Sequence, residues 1–79
     1  MAAKKSPRRT DVRFSIETER EADGRWIAEI TDLPGAMAYG QTEDEACANV
    51  YAVALRIIAD DVQKSKQLPE TITLARATA

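Results

Sequence analysis

Within the 21 residues from Trp26 to Ala46 the chain carries a strand signal, a Pro-Gly corner, a second short strand, a Gly break and a helix start. Trp26, Ala28 and Ile30 alternate with Ile27 and Glu29, the period of a strand buried mainly on one face. Pro34 cannot donate to a ladder and fixes its own φ, while Gly35 can take φ > 0, so Leu33-Pro34-Gly35-Ala36 is read as a turn. Ala36 to Tyr39 follows as a short return strand ended by Gly40. Thr42-Glu43-Asp44-Glu45 fits a capping box, in which the Thr42 hydroxyl accepts from the Glu45 N–H and the Glu45 carboxylate reaches back to Thr42. The three acidic residues also suit the positive end of a helix dipole. On these residues alone the chain is a small α+β module.

The flanking segments extend the same pattern. Val12 to Glu19 places Val12, Phe14, Ile16 and Thr18 on one face and Arg13, Ser15, Glu17 and Glu19 on the other, a half-buried antiparallel strand. Asp23-Gly24 is a hairpin signal joining it to the Trp26 strand, with Trp26 expected as a core anchor. A helix is predicted from Glu43 to about Lys66, with Ala46, Cys47, Val50, Val53, Ala54 and Ile57 facing the sheet. Lys64 and Lys66 suit its C-terminal end. Leu68-Pro69 stops the helix, and Thr71 to Leu74 is a last strand with Ile72 and Leu74 inward, Ala75 to Ala79 being expected to fray.

A second helical stripe, Tyr51, Leu55, Ile58 and Val62, points roughly 100° away from the first. One sheet covers one side of a helix, so these side chains need loops, the last strand or another chain as a partner. A homodimer or higher homo-oligomer, or a contact with a different protein, is the expectation for so small a domain.

Several parts of this succession together resemble the HicB-like antitoxin family: Gly24-Arg25-Trp26, Asp32-Leu33-Pro34-Gly35, Gly40-Gln41-Thr42 and Glu45-Ala46, spread over a match from about Phe14 to Leu74. The resemblance implies a degenerate ribonuclease-H-like β-β-β-α-β fold, a three-stranded antiparallel meander plus an edge strand packed on one helix. It also implies binding and steric silencing of a small basic HicA-like toxin that cleaves messenger RNA. Many members carry a C-terminal DNA-binding segment, and the end at Ala79 leads to the expectation of a stand-alone member without one. The alternative is an orphan self-associating module with no toxin partner.

Composition agrees with a single domain over residues 12–79 preceded by a disordered basic tail over residues 1–11. Lys4, Lys5, Arg8 and Arg9 lie in the first nine residues, and residues 10–79 carry 7 basic against 13 acidic side chains, net −6. An acidic body suits a basic partner and repels nucleic acid, though acidity also serves solubility. The tail is either a weak, salt-sensitive nucleic-acid arm or a solvated extension. A chain of 79 residues buries little surface, and its single cysteine forms no internal disulfide, so oligomerisation is one route to stability. One Cys, no leader pattern and no long apolar run point to the cytoplasm and not to a membrane.

Histidine is absent, and with it the commonest general base and metal ligand. Cys47 falls in the sheet-facing stripe and is read as a small apolar residue. A metal-dependent nuclease would need converging carboxylates; the candidates are Glu17, Glu19, Glu29 and Asp32, of which the three glutamates have solvent-facing strand parity. Asp32, two residues before Pro34, is expected to hydrogen-bond the following N–H groups and hold the corner. The reading is a non-enzyme with no cofactor and no metal site. The residues Asp32, Leu33, Pro34, Gly35, Gly40, Thr42 and Glu45 are assigned structural roles.

Overall fold

A computed structural model describes residues 11–77, so the expectations for the basic tail before Asp11 lie outside the described residues. Strand β1 (Asp11–Arg20) is followed by β2 (Trp26–Glu29), β3 (Met37–Gly40), helix α1 (Glu43–Ser65) and β4 (Thr71–Arg76). They form one four-stranded mixed sheet in the order β3-β2-β1-β4, with α1 on one face. The α+β meander with a returning edge strand is as read from the sequence. β1 starts one residue earlier than expected, at Asp11 opposite Thr71.

Direction follows from the connections. Two tight turns make β1–β2 and β2–β3 antiparallel. α1 then carries the chain back across the sheet, and β4 runs parallel to β1, with Val12 opposite Ile72 and Phe14 opposite Leu74. A parallel pair requires such a long crossover, because its strands begin at the same end of the sheet.

The first hairpin loop is Ala22-Asp23-Gly24. The Gly24 N–H donates to the Glu21 carbonyl at 2.9 Å, and Gly24 sits at φ 94°, in the left-handed region that a three-residue hairpin loop needs. The Asp23 carboxylate accepts from the Arg25 backbone N–H at 3.0 Å and from its Nε at 2.8 Å. These bonds, the backbone one foremost, hold Asp23 below the usual carboxylate range.

The second corner is closed by backbone bonds. The Leu33 N–H donates to the Ile30 carbonyl and the Ala36 N–H to the Leu33 carbonyl, both at 3.0 Å. Pro34 and Gly35 (φ 89°) occupy the middle of that second turn, as a type II turn requires. Asp32 is exposed, and its carboxylate takes no hydrogen bond among the described residues. The expected Asp32 role is thereby corrected: the backbone already closes the corner, so no side-chain acceptor is needed.

The capping box forms with one change. Thr42 Oγ1 accepts from the Glu45 N–H at 3.1 Å, but the Glu45 carboxylate accepts from the Gln41 N–H, one residue before the expected Thr42. Helix α1 ends at Ser65, and Lys66 closes it in a left-handed conformation (φ 61°), donating its N–H to the Val62 carbonyl.

Ile16, Ala28, Ile30, Leu33, Ala36, Ala46, Cys47, Val50, Ala54 and Ile58 are buried together, and half-buried Trp26 and Phe14 pack against them. Alanines at fully buried positions 28, 46 and 54 let the helix come close to the sheet. Gly40 belongs to β3, paired with Trp26, rather than standing beyond it as a break. A Cβ there would lie 2.9 Å from both Ala46 Cα and Glu45 C, so the first turn of α1 rests on bare backbone.

β4 reaches two residues past the expected Leu74. Ala75 and Arg76 pair with Ser15 and Ile16, and the Ala77 N–H donates to the Ile16 carbonyl at 2.8 Å. Arg76 binds the Asp44 carboxylate at 2.8 Å and lies 3.6 Å from that of Glu43, which itself accepts from the Thr18 hydroxyl at 2.7 Å. This cluster ties the end of β4 to the helix start and prevents the expected fraying at Ala75 and Arg76.

Candidate protein-binding surfaces

One face of the sheet is covered by α1; the other carries the odd-numbered side chains of β1 to β3. Glu17 lies directly opposite Glu29, and Glu29 opposite Met37; alongside runs the row Glu19, Ile27, Tyr39. Glu17, Glu19 and Glu29 are exposed and form no ion pair among the described residues. Met37 and Tyr39 are exposed apolar side chains. The Arg25 guanidinium, itself paired with Asp23, stacks on the Tyr39 ring at 4.3 Å. The open face is therefore two parallel rows, each joining carboxylate to apolar side chain.

The four proposed metal-ligand candidates do not assemble into a site. Among the described residues no group of three or more His, Cys, Asp or Glu could hold a metal ion. Cys47 is buried, and burial pushes its thiol above the usual range, away from the thiolate that a nucleophile needs.

The second helical stripe divides. Ile58 is 8% exposed and belongs to the core, and Val62 is half-buried against it. Both line a groove of about 510 Å³ with Val12, Phe14, Leu33 and Leu68, with Asp61 at its rim. The chain's own β1 and corner loop thus take up Ile58, which is withdrawn as a contact for another molecule. Tyr51 and Leu55 remain 43% and 47% exposed. Val53 and Ile57, expected to face the sheet, are half-buried.

α1 leans toward one side of the sheet. It packs on β3, β2 and β1 and barely reaches β4. On the β3 side, the Asn49 side-chain amide donates to the Tyr39 carbonyl at 2.9 Å. On the β4 side, a shallow recess opens between Cys47, Ala48 and Tyr51 of the helix and Leu74 and Arg76 of the strand. Elsewhere on β4, Ile72 is 40% exposed.

Met37 and Tyr39 were not among the expected contact residues. A usable signal was present in the loop length. With Ala22-Asp23-Gly24 as a three-residue loop, Glu21 pairs with Arg25, which sets Glu17 opposite Glu29 and Glu19 opposite Ile27. The outward parity of Met37 and Tyr39 then follows from the second corner.

No helix among the described residues is long and apolar enough to cross a membrane. Comparison with protein-family models, with curated proteins and with solved structures finds no match in any of the three.

Proposed function

We propose that this chain is an antitoxin-type inhibitor of the HicB-like kind, a cytoplasmic domain that occludes a small basic ribonuclease acting on messenger RNA. The observation that carries the reading is the open sheet face. Glu17 and Glu29 confront each other there and form no ion pair among the described residues. Like charges directly opposite on a ladder destabilise it, so the arrangement does nothing for the fold itself. A cationic partner turns the same two carboxylates, with Glu19, into an attraction that steers encounter and sets register. Exposed Met37 and Tyr39 beside them supply the apolar anchors that binding energy concentrates on. Occlusion asks for no acid, base or metal from the inhibitor. The β-β-β-α-β order and the β3-β2-β1-β4 arrangement support a degenerate ribonuclease-H-like reading of the fold.

The second reading is an orphan self-associating module, favoured by the exposed Tyr51 and Leu55 on the helix. Affinity capture of the tagged protein from its own cell extract, with mass spectrometry, separates the two. The inhibitor reading expects a stoichiometric small basic protein whose RNA cleavage stops when this chain is added. It further expects a Glu17→Lys, Glu29→Lys variant that folds normally and no longer inhibits. Recovery of the bait alone, or inhibition undiminished in that variant, defeats it.

A further inference from the structure

The two edges of the sheet are finished differently. Along β3 the bonded pair of Ile30 and Ala36 sets the alternation, so Met37 and Tyr39 turn their backbone N–H and C=O groups away from β2. The chain itself takes up part of that edge. The Met37 N–H donates to the Gly35 carbonyl at 3.1 Å, and the Tyr39 carbonyl accepts from the Asn49 side-chain amide at 2.9 Å. α1 also packs across β3.

β4 has no such finish. Arg76 is the partner of Ile16, and the Ala77 N–H donates to the Ile16 carbonyl. The odd-numbered residues of β4 therefore bond β1, and the even-numbered ones turn outward. The N–H and C=O groups of Ile72, Leu74 and Arg76 lie along the outer edge, without a partner among the described residues. Exposed edges are ordinarily blunted by a bulge, a proline or lysines, or by a covering element. Here the register with β1 is unbroken, Thr71–Arg76 holds neither proline nor lysine, and α1 barely reaches the strand. The one charged side chain, Arg76, is drawn to Asp44 at the helix start. Ile72 and Leu74 share the helix side of the sheet, and Ile72 stays 40% exposed.

An open row of backbone donors and acceptors fits another extended strand. The sequence of β4 suits its own copy. Laid antiparallel on itself about Thr73, it sets Ile72 opposite Leu74 and Leu74 opposite Ile72, an apolar row on the helix side. These are the outward-turned residues, so they form the bonded pairs. Thr73 meets Thr73 on the other side, and small Thr71 meets small Ala75; apolar and Thr–Thr pairs both favour a ladder. A register centred on Leu74 would instead set Ile72 against Arg76.

We propose that β4 pairs antiparallel with β4 of a second copy about a two-fold axis at Thr73, joining two four-stranded sheets into one continuous sheet. The axis stands perpendicular to the sheet, so both helices fall on one side and both open faces on the other. α1 lies over β3, β2 and β1, which leaves the joint clear of either helix. Each copy uses the same edge, and the contact closes on itself. It covers none of Glu17, Glu29, Met37 and Tyr39, and it rests on neither reading of the function.

Sedimentation equilibrium on the whole chain should give twice the mass of one chain. Amide hydrogen exchange should find the Ile72 and Leu74 N–H groups as protected as those of Thr73 and Ala75, which bond β1. In a Cys47→Ala background, Thr73→Cys should oxidise to a disulfide-linked dimer, because opposed non-bonded residues lie about 4.5 Å apart at Cα, within disulfide reach. Ala75→Cys should not, its counterpart lying about 13 Å away along the strands. Ile72→Pro removes an outward donor and leaves the β1 ladder whole, so the mass should fall to one chain while the far-ultraviolet circular dichroism stays that of the parent. A wild-type mass of one chain, a folded Ile72→Pro variant that stays dimeric, fast exchange at Ile72 and Leu74, or equal cross-linking of the two cysteine variants overturns the proposal. The exchange and cross-linking readings stand by themselves if Ile72→Pro does not fold.

Discussion

Glu17 and Glu29 face each other as Cα partners on the uncovered side of the sheet, with Met37 next in the same row. Replacing one of them by lysine converts a repulsive cross-strand pair into an attractive one. Glu29→Lys is expected to raise the thermal midpoint, with a gain of some tenths of a kcal/mol in urea unfolding. The same substitution should weaken capture of a basic partner. A midpoint below that of the parent would mean the pair is already relieved within the fold.

Gly40 and the first turn of α1 are in backbone contact. Gly40→Ala places a methyl carbon against Ala46 and Glu45, where neither side is a flexible side chain that can move away. The helix start must lift from the sheet, at a cost of about 1–3 kcal/mol, as for other overpacked sites. Urea denaturation gives the value directly, and an unchanged midpoint would contradict the close approach.

The corner offers a paired test. Asp32 is exposed and makes no hydrogen bond among the described residues, so Asp32→Ala should change stability by less than about 0.5 kcal/mol. Gly35→Val forces a β-branched residue to φ 89° and should cost about 1–2 kcal/mol or more. Thermal melts of the two variants beside the parent decide it; similar losses in both would restore a structural role to the Asp32 carboxylate.

Cys47 gives a chemical readout of the core. Its thiol is buried and shifted above its ordinary value of 9.0 by that burial, partly offset by Arg76. At pH 8 a thiol reagent should label it many times more slowly in the native protein than in urea. Val50→Ala, which opens the adjacent core, should accelerate native labelling. Rapid labelling of the parent would show that α1 opens readily from the sheet.

Much of this architecture is legible because short-range chemistry governs it. The parity of Phe14, Ile16, Trp26, Ala28 and Ile30 gives the covered face, and Pro34-Gly35 gives the corner. The Thr42 hydroxyl fixes the helix start. Features that escaped depend on residues far apart in the chain. Arg76 holds β4 to the helix start through Asp44, 32 residues earlier, and no local pattern at Ala75-Arg76 announces that. Ile58 lies at the margin between two helical stripes. A wheel gives its angle but not the presence of Leu33 and Phe14 alongside, which bring it into the core. The candidate binding face was half visible: the outward glutamates follow from alternation, whereas their confrontation needs the hairpin register.

The parallel pairing of β1 with β4 has a consequence for how the chain acquires its fold on the ribosome. β1 precedes the other described strands and lies inside the sheet, yet one of its two edges is completed only by residues 71–76. The meander can assemble as soon as Gly40 has emerged, but its first strand then waits, with one edge bare, for α1 and β4. Closure comes with β4, which pairs with β1 across the intervening hairpins and helix, the kind of distant contact that slows folding. Until then the bare edge of β1 is a template for strands of other nascent chains.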